Sequence, residues 1–210
     1  MAVWRYVDFS VKEAQRFADL ARVETDLETT ENMCELFIKE RQKPEPFSNP
    51  ESFLIFEALC TAAILKYARS FDSGVREGVS GNLIAQLSQE YQESHTFLMN
   101  LRNKWVAHSV NTFEVMQVVA YLTPKERGPQ GVSSISARPH RISSLGIEEM
   151  GRLQKLTAAV RESVKRLIEE EEQKVLFYAR SLPPSQFYRQ GDPPAIIPGG
   201  KDPGKARKKW

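Results

Sequence analysis

The sequence predicts a mainly α-helical bundle of four or more helices, interrupted once by a small β-hairpin. Two observations carry this prediction. Apolar residues recur every three to four positions over most of residues 11–181, and one valine-rich run near residues 113–123 departs from that period. With 210 residues, of which 41% are hydrophobic and 27% charged, the chain can bury one sizeable core. We therefore expect one helical domain over residues 1–182 and a tail over residues 183–210.

The first helix is predicted over about residues 11–42. Ser10 and Glu13 have the spacing of a capping box, in which the two side chains satisfy each other's backbone N–H groups. The apolar pattern weakens between residues 24 and 30 before it resumes, so a break near Thr29–Thr30 is one expectation. Three prolines at positions 44, 46 and 50 then indicate a loop.

A second helix is predicted over about residues 50–71, because Asn49 is a favourable N-cap and Pro50 suits the first helical position. Its apolar residues lie on most sides, which is typical of a helix in the middle of a bundle. Asp72-Ser-Gly74 should end it, and the glycines at positions 74, 78 and 81 indicate a mobile connection.

Helical periodicity returns at Asn82 and either continues or restarts at Ser88, running to about His108. Extended runs at residues 113–123 and 132–137, joined by a turn-prone Gly-Pro-Gln-Gly, then predict a β-hairpin over about residues 112–138.

A long last helix is predicted over about residues 147–181, with an acidic, solvated middle, and Pro183-Pro184 should stop it. The tail over 183–210 is rich in proline, glycine and basic residues and is predicted to be disordered. Six basic against two acidic residues give the tail a net charge of +4, which leaves −2 for residues 1–182. Any bulk attraction to phosphate would therefore come from the tail.

The cysteine count favours a reduced protein without a disulfide. Cys34 and Cys60 each lie in an apolar helical pattern, and the chain has no C-x-x-C pair and only three histidines. The N-terminus lacks the apolar core of a signal peptide, and the apolar run at residues 58–65 is too short to cross a bilayer. We expect a cytoplasmic protein that uses no metal or other cofactor and no membrane.

Titratable chemistry is concentrated in the stretch 99–111, which carries Arg102, Asn103 and His108 near the end of a predicted helix. Histidine can take a proton from a ribose 2′-OH or give one to a leaving oxygen, and arginine can hold a phosphate through its fork. Six residues correspond to about 9 Å of rise and about 120° of rotation on an ideal helix, so Arg102 and His108 are poorly placed to act together. Either the helix ends near His108, or two copies of the stretch meet across a two-fold axis.

The alternative is that this stretch is a well-packed helix end. His108 would then cap the last carbonyls of its helix, and Arg102 would pair with Glu90, Glu93 or the acidic last helix. On spacing alone this alternative is favoured, because an arginine and a histidine at this separation often occur by chance.

A family resemblance shifts the balance. The stretch Leu101-Arg102-Asn103-Lys104-Trp105-Val106-Ala107-His108-Ser109 resembles the R-x4–6-H motif of HEPN domains, a family that favours a polar residue directly after the arginine. The segment from Lys66 to Arg76 resembles abortive-infection-type members. The similarity covers about residues 50–111.

The resemblance implies an up-and-down helical bundle that forms a homodimer along the motif helices, and a metal-independent endoribonuclease of a toxin–antitoxin or antiviral system. Arg102 and His108 would be catalytic, with Asn103 supporting them, and an antitoxin or another partner protein would be expected besides RNA. Arg69 and Arg76 flank a turn and are candidates for phosphate contacts, although surface ion pairs are about as probable a role for them. Some HEPN domains are inactive nucleotide-binding or scaffolding units, so a non-catalytic module is the second hypothesis and a plain helical scaffold the third.

Overall fold

A computed structural model describes residues 5–71, 77–106 and 113–193. Within these ranges the chain is mainly helical and carries one small antiparallel sheet of two strands. Its helices are α1 (Gln15–Arg41), α2 (Pro50–Arg69), α3 (Gly81–Ala85), α4 (Gln89–Leu101), α5 (Ile147–Ser181) and α6 (Ser185–Tyr188). Short 3₁₀ turns lie at Lys12–Ala14 and Lys125–Arg127, a π-helical turn at Arg102–Val106, and the strands are β1 (Glu114–Leu122) and β2 (Val132–Arg141).

Helix α1 runs without the break considered near Thr29–Thr30. The two threonine hydroxyls donate to the carbonyls four residues earlier, at 2.7 Å and 2.9 Å, which lets both residues stay inside the helix. The capping box predicted at Ser10 is wrong. Both the N–H and the hydroxyl of Ser10 donate to the carboxylate of Asp8, at 3.1 Å and 2.6 Å, so Ser10 belongs to the turn before the helix.

Helix α2 begins as predicted, with Asn49 Oδ1 accepting from the N–H of Glu51 at 2.9 Å. Its expected place in the middle of the bundle is wrong, because the bundle covers only one of its sides. The covered side carries the buried residues Phe56, Cys60, Ala63, Ile64, Tyr67 and Ala68. The opposite side stays in solvent, with Leu54, Ile55 and Leu65 exposed by 65%, 50% and 43%.

The long helices pack in antiparallel pairs. Arg161 of α5 binds Glu24 and Glu28 of α1 at 2.7 Å and 2.8 Å, and α1 lies along much of α5. Phe37 near the end of α1 contacts Phe56 near the start of α2, with ring centroids 5.3 Å apart. The core between these helices is apolar, and its largest fully buried side chains include Leu20, Leu27, Phe37, Ile64, Tyr67, Met150, Leu153, Leu156 and Val160.

Helix α4 restarts after a break rather than continuing from α3, which resolves the two expectations for this region. The β-hairpin is confirmed, with Gly128 at a φ of +131° in its turn, a conformation that glycine adopts readily. Strand β2 extends to Arg141, three residues beyond the predicted end of the hairpin at about residue 138, so the basic segment Arg138-Pro-His-Arg141 is part of the sheet.

The predicted disorder of the tail is wrong for its first residues. Helix α6 folds back so that Phe187 contacts Phe9, with ring centroids 5.5 Å apart, and this contact orders the segment. Residues 194–210, with most of the tail's basic residues, lie outside the described ranges. None of the helices described here has both the length and the apolar content needed to cross a membrane.

The two cysteines should be chemically inert in the folded protein. Both are fully buried, and burial raises the pKa of Cys34 to about 12 and that of Cys60 to about 11. Because only the thiolate attacks a disulfide reagent, we expect neither thiol to react appreciably at pH 8 until the protein is unfolded in guanidinium, when both should react. A thiol that reacts in the folded state as fast as in the unfolded state would contradict this placement.

Candidate functional site

The predicted site lies where α4 gives way to a π-helical turn at Arg102–Val106. Leu98, Leu101 and Trp105 are buried and anchor this turn to the core, and the Trp105 ring meets Phe113 edge-on at 5.8 Å. Trp105 is therefore a core residue. In a π turn the hydrogen bonds join residues five apart, and such turns occur frequently at functional sites. The turn interrupts the ideal α-helical spacing between Arg102 and the residues that follow it.

Within the turn, Arg102 is supported by its neighbour. The Arg102 side chain is half-buried, and its Nη1 donates to Oδ1 of Asn103 at 2.8 Å, while Asn103 itself is exposed. The hydrogen bond orients the guanidinium at the protein surface. The structure thus brings together Arg102 and Asn103, whereas His108 lies outside the described residues.

Arg69 is engaged elsewhere, with the buried carboxylate of Asp26. Asp26 is 5% exposed and accepts from Nε of Arg69 at 3.0 Å, from Nη2 of Arg69, and from Nζ of Lys66 at 3.1 Å. A buried carboxylate requires such compensation. The ion pair that was considered for Arg69 is therefore present. A contact between Arg69 and phosphate stays a prediction, and the Arg69 side chain is 55% exposed. Arg76 lies outside the described residues.

Arg69 and Arg102 lie at opposite ends of the α2–α4 pair. Tyr67, near the end of α2, contacts His95 in the middle of α4, and the π turn contacts α2 as well, so the two helices are antiparallel. Arg102 lies seven residues beyond His95 and Arg69 two residues beyond Tyr67 in the opposite direction. At 1.5 Å per residue this separates the two arginines by roughly 13 Å along the axis. The described part of one chain does not bring them together on one phosphate.

His95 is a structural histidine. Its Nδ1 and the hydroxyl of Tyr67 are 2.9 Å apart in a hydrogen bond, and its ring meets that of Phe71 edge-on at 4.7 Å. Burial lowers the pKa of His95 and raises that of Tyr67, which favours the neutral forms of both. This polar pair fixes the packing of α4 on α2. Helix α4 is the one that continues into the π turn.

Sequence reasoning missed Asp26, although a signal for it exists. Asp26 follows Val23 by three residues and precedes Thr30 by four, so it lies on the face of α1 that those residues bury. A charged residue in a core register predicts a buried ion pair. Its partners on α2 are 40 and 43 residues away and have no local signature.

The described residues contain no group of three histidine, cysteine or acidic side chains that could hold a metal ion. No protein-family model matches the chain, and neither a curated protein nor a solved structure shows significant similarity to it.

His95 should make stability depend on pH. Its pKa is lowered in the folded state, so the unfolded chain, with a histidine pKa of about 6.5, takes up the proton first. The contribution of His95 to the free energy of unfolding should be constant above about pH 6.5. Below that pH the free energy of unfolding should fall, by at most about 1.4 kcal/mol per pH unit, because one proton is taken up on unfolding. Urea unfolding between pH 8 and pH 5 measures the effect.

Replacement of His95 by glutamine should reduce this pH dependence. The matched control is His140→Gln, because His140 is exposed on the hairpin and bonds only to the exposed Gln117 at 3.0 Å among the contacts described. An equal pH dependence in His95→Gln and the unchanged chain would contradict the role given to His95.

Proposed function

We propose that this chain is a metal-independent endoribonuclease of the HEPN type that acts as a homodimer in toxin–antitoxin or antiviral defence. The observation that supports it most is the half-buried Arg102, oriented by its hydrogen bond to Asn103 on a π turn. A polar residue directly after the arginine is what the resemblance to the R-x4–6-H motif leads one to expect. The π turn supports the proposal independently, since such irregularities are frequent at functional sites.

In the proposed reaction, the ribose 2′-OH attacks the adjacent phosphorus and the P–O5′ bond breaks. His108 takes up the proton released from the 2′-OH and then gives a proton to the departing 5′ oxygen, so the histidine ends as it began. Arg102 holds the non-bridging oxygens and stabilises the negative charge that develops on them. The products are a 2′,3′-cyclic phosphate and a free 5′-OH. The chemistry needs two proton transfers and one source of positive charge.

The proposal places two chains at one site. The sequence spacing of Arg102 and His108 would correspond to about 9 Å and about 120° on an ideal helix, and Arg69 lies at the far end of the α2–α4 pair. Across a two-fold axis, the arginine of one chain faces the histidine of its partner, and both motifs share one cleft. RNA is then the substrate, and the basic residues of the tail can add sequence-independent attraction to it.

The second candidate function is a non-catalytic HEPN-like module that binds or scaffolds a partner such as an antitoxin. The half-burial of Arg102 favours it, because an arginine held by a neighbouring amide on a packed helix end also fits a structural role. In that case the same residues contribute to stability and partner binding but not to cleavage.

The two functions are separated by incubating single-stranded RNA with the purified chain in EDTA. We expect cleavage by the unchanged protein and a loss of at least about 100-fold in Arg102→Ala and in His108→Ala, as is typical for a charge stabiliser or an acid–base group. Arg102→Lys should also be impaired, since lysine keeps the charge but loses the fork. Asn103→Ala should lose less, because Asn103 orients the guanidinium.

The matched control is Lys104→Ala, which removes an exposed positive charge from the same turn. It should cleave as well as the unchanged protein, and a 2′-deoxy substitution in the substrate should block cleavage at that nucleotide. If the unchanged protein cuts no RNA, or if both Arg102→Ala and His108→Ala cut as well as it does, the nuclease is refuted and the non-catalytic module is favoured.

A further inference from the structure

One face of the β-hairpin is more apolar than the other. Residues opposite each other in the antiparallel register share a face, and one face carries the pairs Met116↔Pro139, Val118↔Ala137, Ala120↔Ile135 and Leu122↔Val132. We call the five large apolar side chains of this face, Met116, Val118, Leu122, Val132 and Ile135, the hairpin face. Every pair of the opposite face contains a polar residue, in the pairs Val115↔His140, Gln117↔Arg138, Val119↔Ser136 and Tyr121↔Ser134.

The hairpin face is uncovered. Its five side chains are exposed by 62–71%, and the two strands pack chiefly on each other. An isolated two-stranded hairpin is marginally stable in water, and contiguous apolar patches of this kind mark surfaces that bind something. An apolar sheet face held away from the core therefore indicates an interface.

A second uncovered apolar surface adjoins it on α2. We call Leu54, Ile55 and Leu65, the exposed large residues on one side of this helix, the α2 stripe. The two surfaces meet at an ion pair, because Nη2 of Arg141 binds Oε2 of Glu57 at 3.1 Å. Arg141 lies on the hairpin-face side of β2, two residues beyond Pro139, and Glu57 lies three residues beyond Leu54. The base of the hairpin is thus linked to α2 at this ion pair, and both apolar surfaces belong to the same region of the molecule.

We propose that these two surfaces bind a second copy of the chain, with the hairpin face of each protomer covering the α2 stripe of its partner. The dimensions agree: residues 116–122 span about 20 Å of strand, and residues 54–65 span about 17 Å of helix. A two-fold axis makes the contact twice and covers both apolar surfaces with a single kind of partner. A partner protein of different sequence would have to supply two complementary surfaces, whereas this chain already carries both.

The area agrees with the needs of a stable dimer. Burial of a large apolar side chain contributes about 1.5–3 kcal/mol, at about 25 cal/mol per Å² of apolar surface. A fully exposed side chain of this kind therefore presents about 60–120 Å² of apolar surface. Scaled by their exposures, the eight side chains together present about 300–600 Å² of apolar surface per protomer. A standard interface buries about 800 Å² per partner, of which somewhat more than half is apolar, or about 450–520 Å².

The inference rests on the homodimer of the proposed function, and it assigns the contact to the hairpin face and the α2 stripe, whereas the resemblance implies a contact along the motif helices. Its test is the mass of the protein rather than RNA cleavage. A dimer that cuts no RNA would leave this inference standing and refute the nuclease, so the two failures are distinguishable.

The experiment is sedimentation velocity of the full chain over a range of micromolar concentrations. We expect the unchanged protein to be a dimer, and Val118→Lys, Ile135→Lys and Leu54→Glu to be monomers with unchanged helical circular dichroism. All three replaced side chains are at least 65% exposed within one chain, so the substitutions act on association rather than folding. The matched control is Gln117→Lys, which adds the same charge beside Val118 on the opposite face and should remain a dimer.

Mixing the variants tests which surfaces meet. In a heterodimer of Val118→Lys with Leu54→Glu, one contact places the lysine against the glutamate and the other contact is unaltered. The mixture should therefore form dimers although each variant alone is monomeric. A monomeric unchanged protein, a dimeric Val118→Lys or Leu54→Glu, a monomeric Gln117→Lys, or a mixture that stays monomeric would each overturn the proposal.

Discussion

Helix α2 has apolar residues on two sides, and the bundle covers only one of these sides. The rest of the structure depends on which side is covered. Burial of a side chain as large as Ile64 or Tyr67 contributes about 1.5–3 kcal/mol, whereas a surface ion pair contributes about 0–1 kcal/mol. Apolar packing therefore sets the rotation of α2, and surface pairs of this helix such as Arg141–Glu57 follow from it. With that rotation set, Tyr67 meets His95, α4 is placed antiparallel to α2, and the π turn with Arg102 comes to the far end of the pair.

The same packing places Arg69 and Arg102 in different surroundings. Asp26 is buried on α1, and its charge is compensated by Lys66 and Arg69 from the end of α2. Removing one partner of such a buried pair is costly because the remaining charge stays in the low-dielectric interior. Arg69 is thus occupied by the fold, and Arg102, about 13 Å away along the helices, is the arginine around which the proposed reaction is arranged.

Much of the secondary structure was predictable because its causes are local. The Asn49–Pro50 start of α2 and the valine-rich strand near residue 113 were read from neighbouring residues, and both are confirmed. The errors arise where a neighbour or a distant contact competes. Asp8 takes Ser10 away from its capping role, and Phe9, far from α6 in sequence, orders a segment that composition alone predicts to be disordered.

The candidate site was predictable to a similar extent. Arg102 and Asn103 were expected to act together, and their side chains are hydrogen-bonded. This was predictable because the two residues are neighbours in the chain. The π turn was not foreseen, since it accompanies the packing of Trp105 on Phe113 beyond the helix end. The exposed side of α2 was misassigned to the core for a physical reason as well: a sequence does not distinguish an apolar surface covered by its own chain from one that its own chain leaves exposed.

In the proposed nuclease each site is shared, with Arg102 from one chain and His108 from its partner. Mixing Arg102→Ala chains with His108→Ala chains and measuring RNA cleavage tests this sharing most directly. Half of the randomly paired dimers are then mixed, and each mixed dimer has one site with both residues and one with neither, so activity should return to about a quarter of the unchanged protein's. A mixture as inactive as its two components would contradict a site built across the two-fold axis.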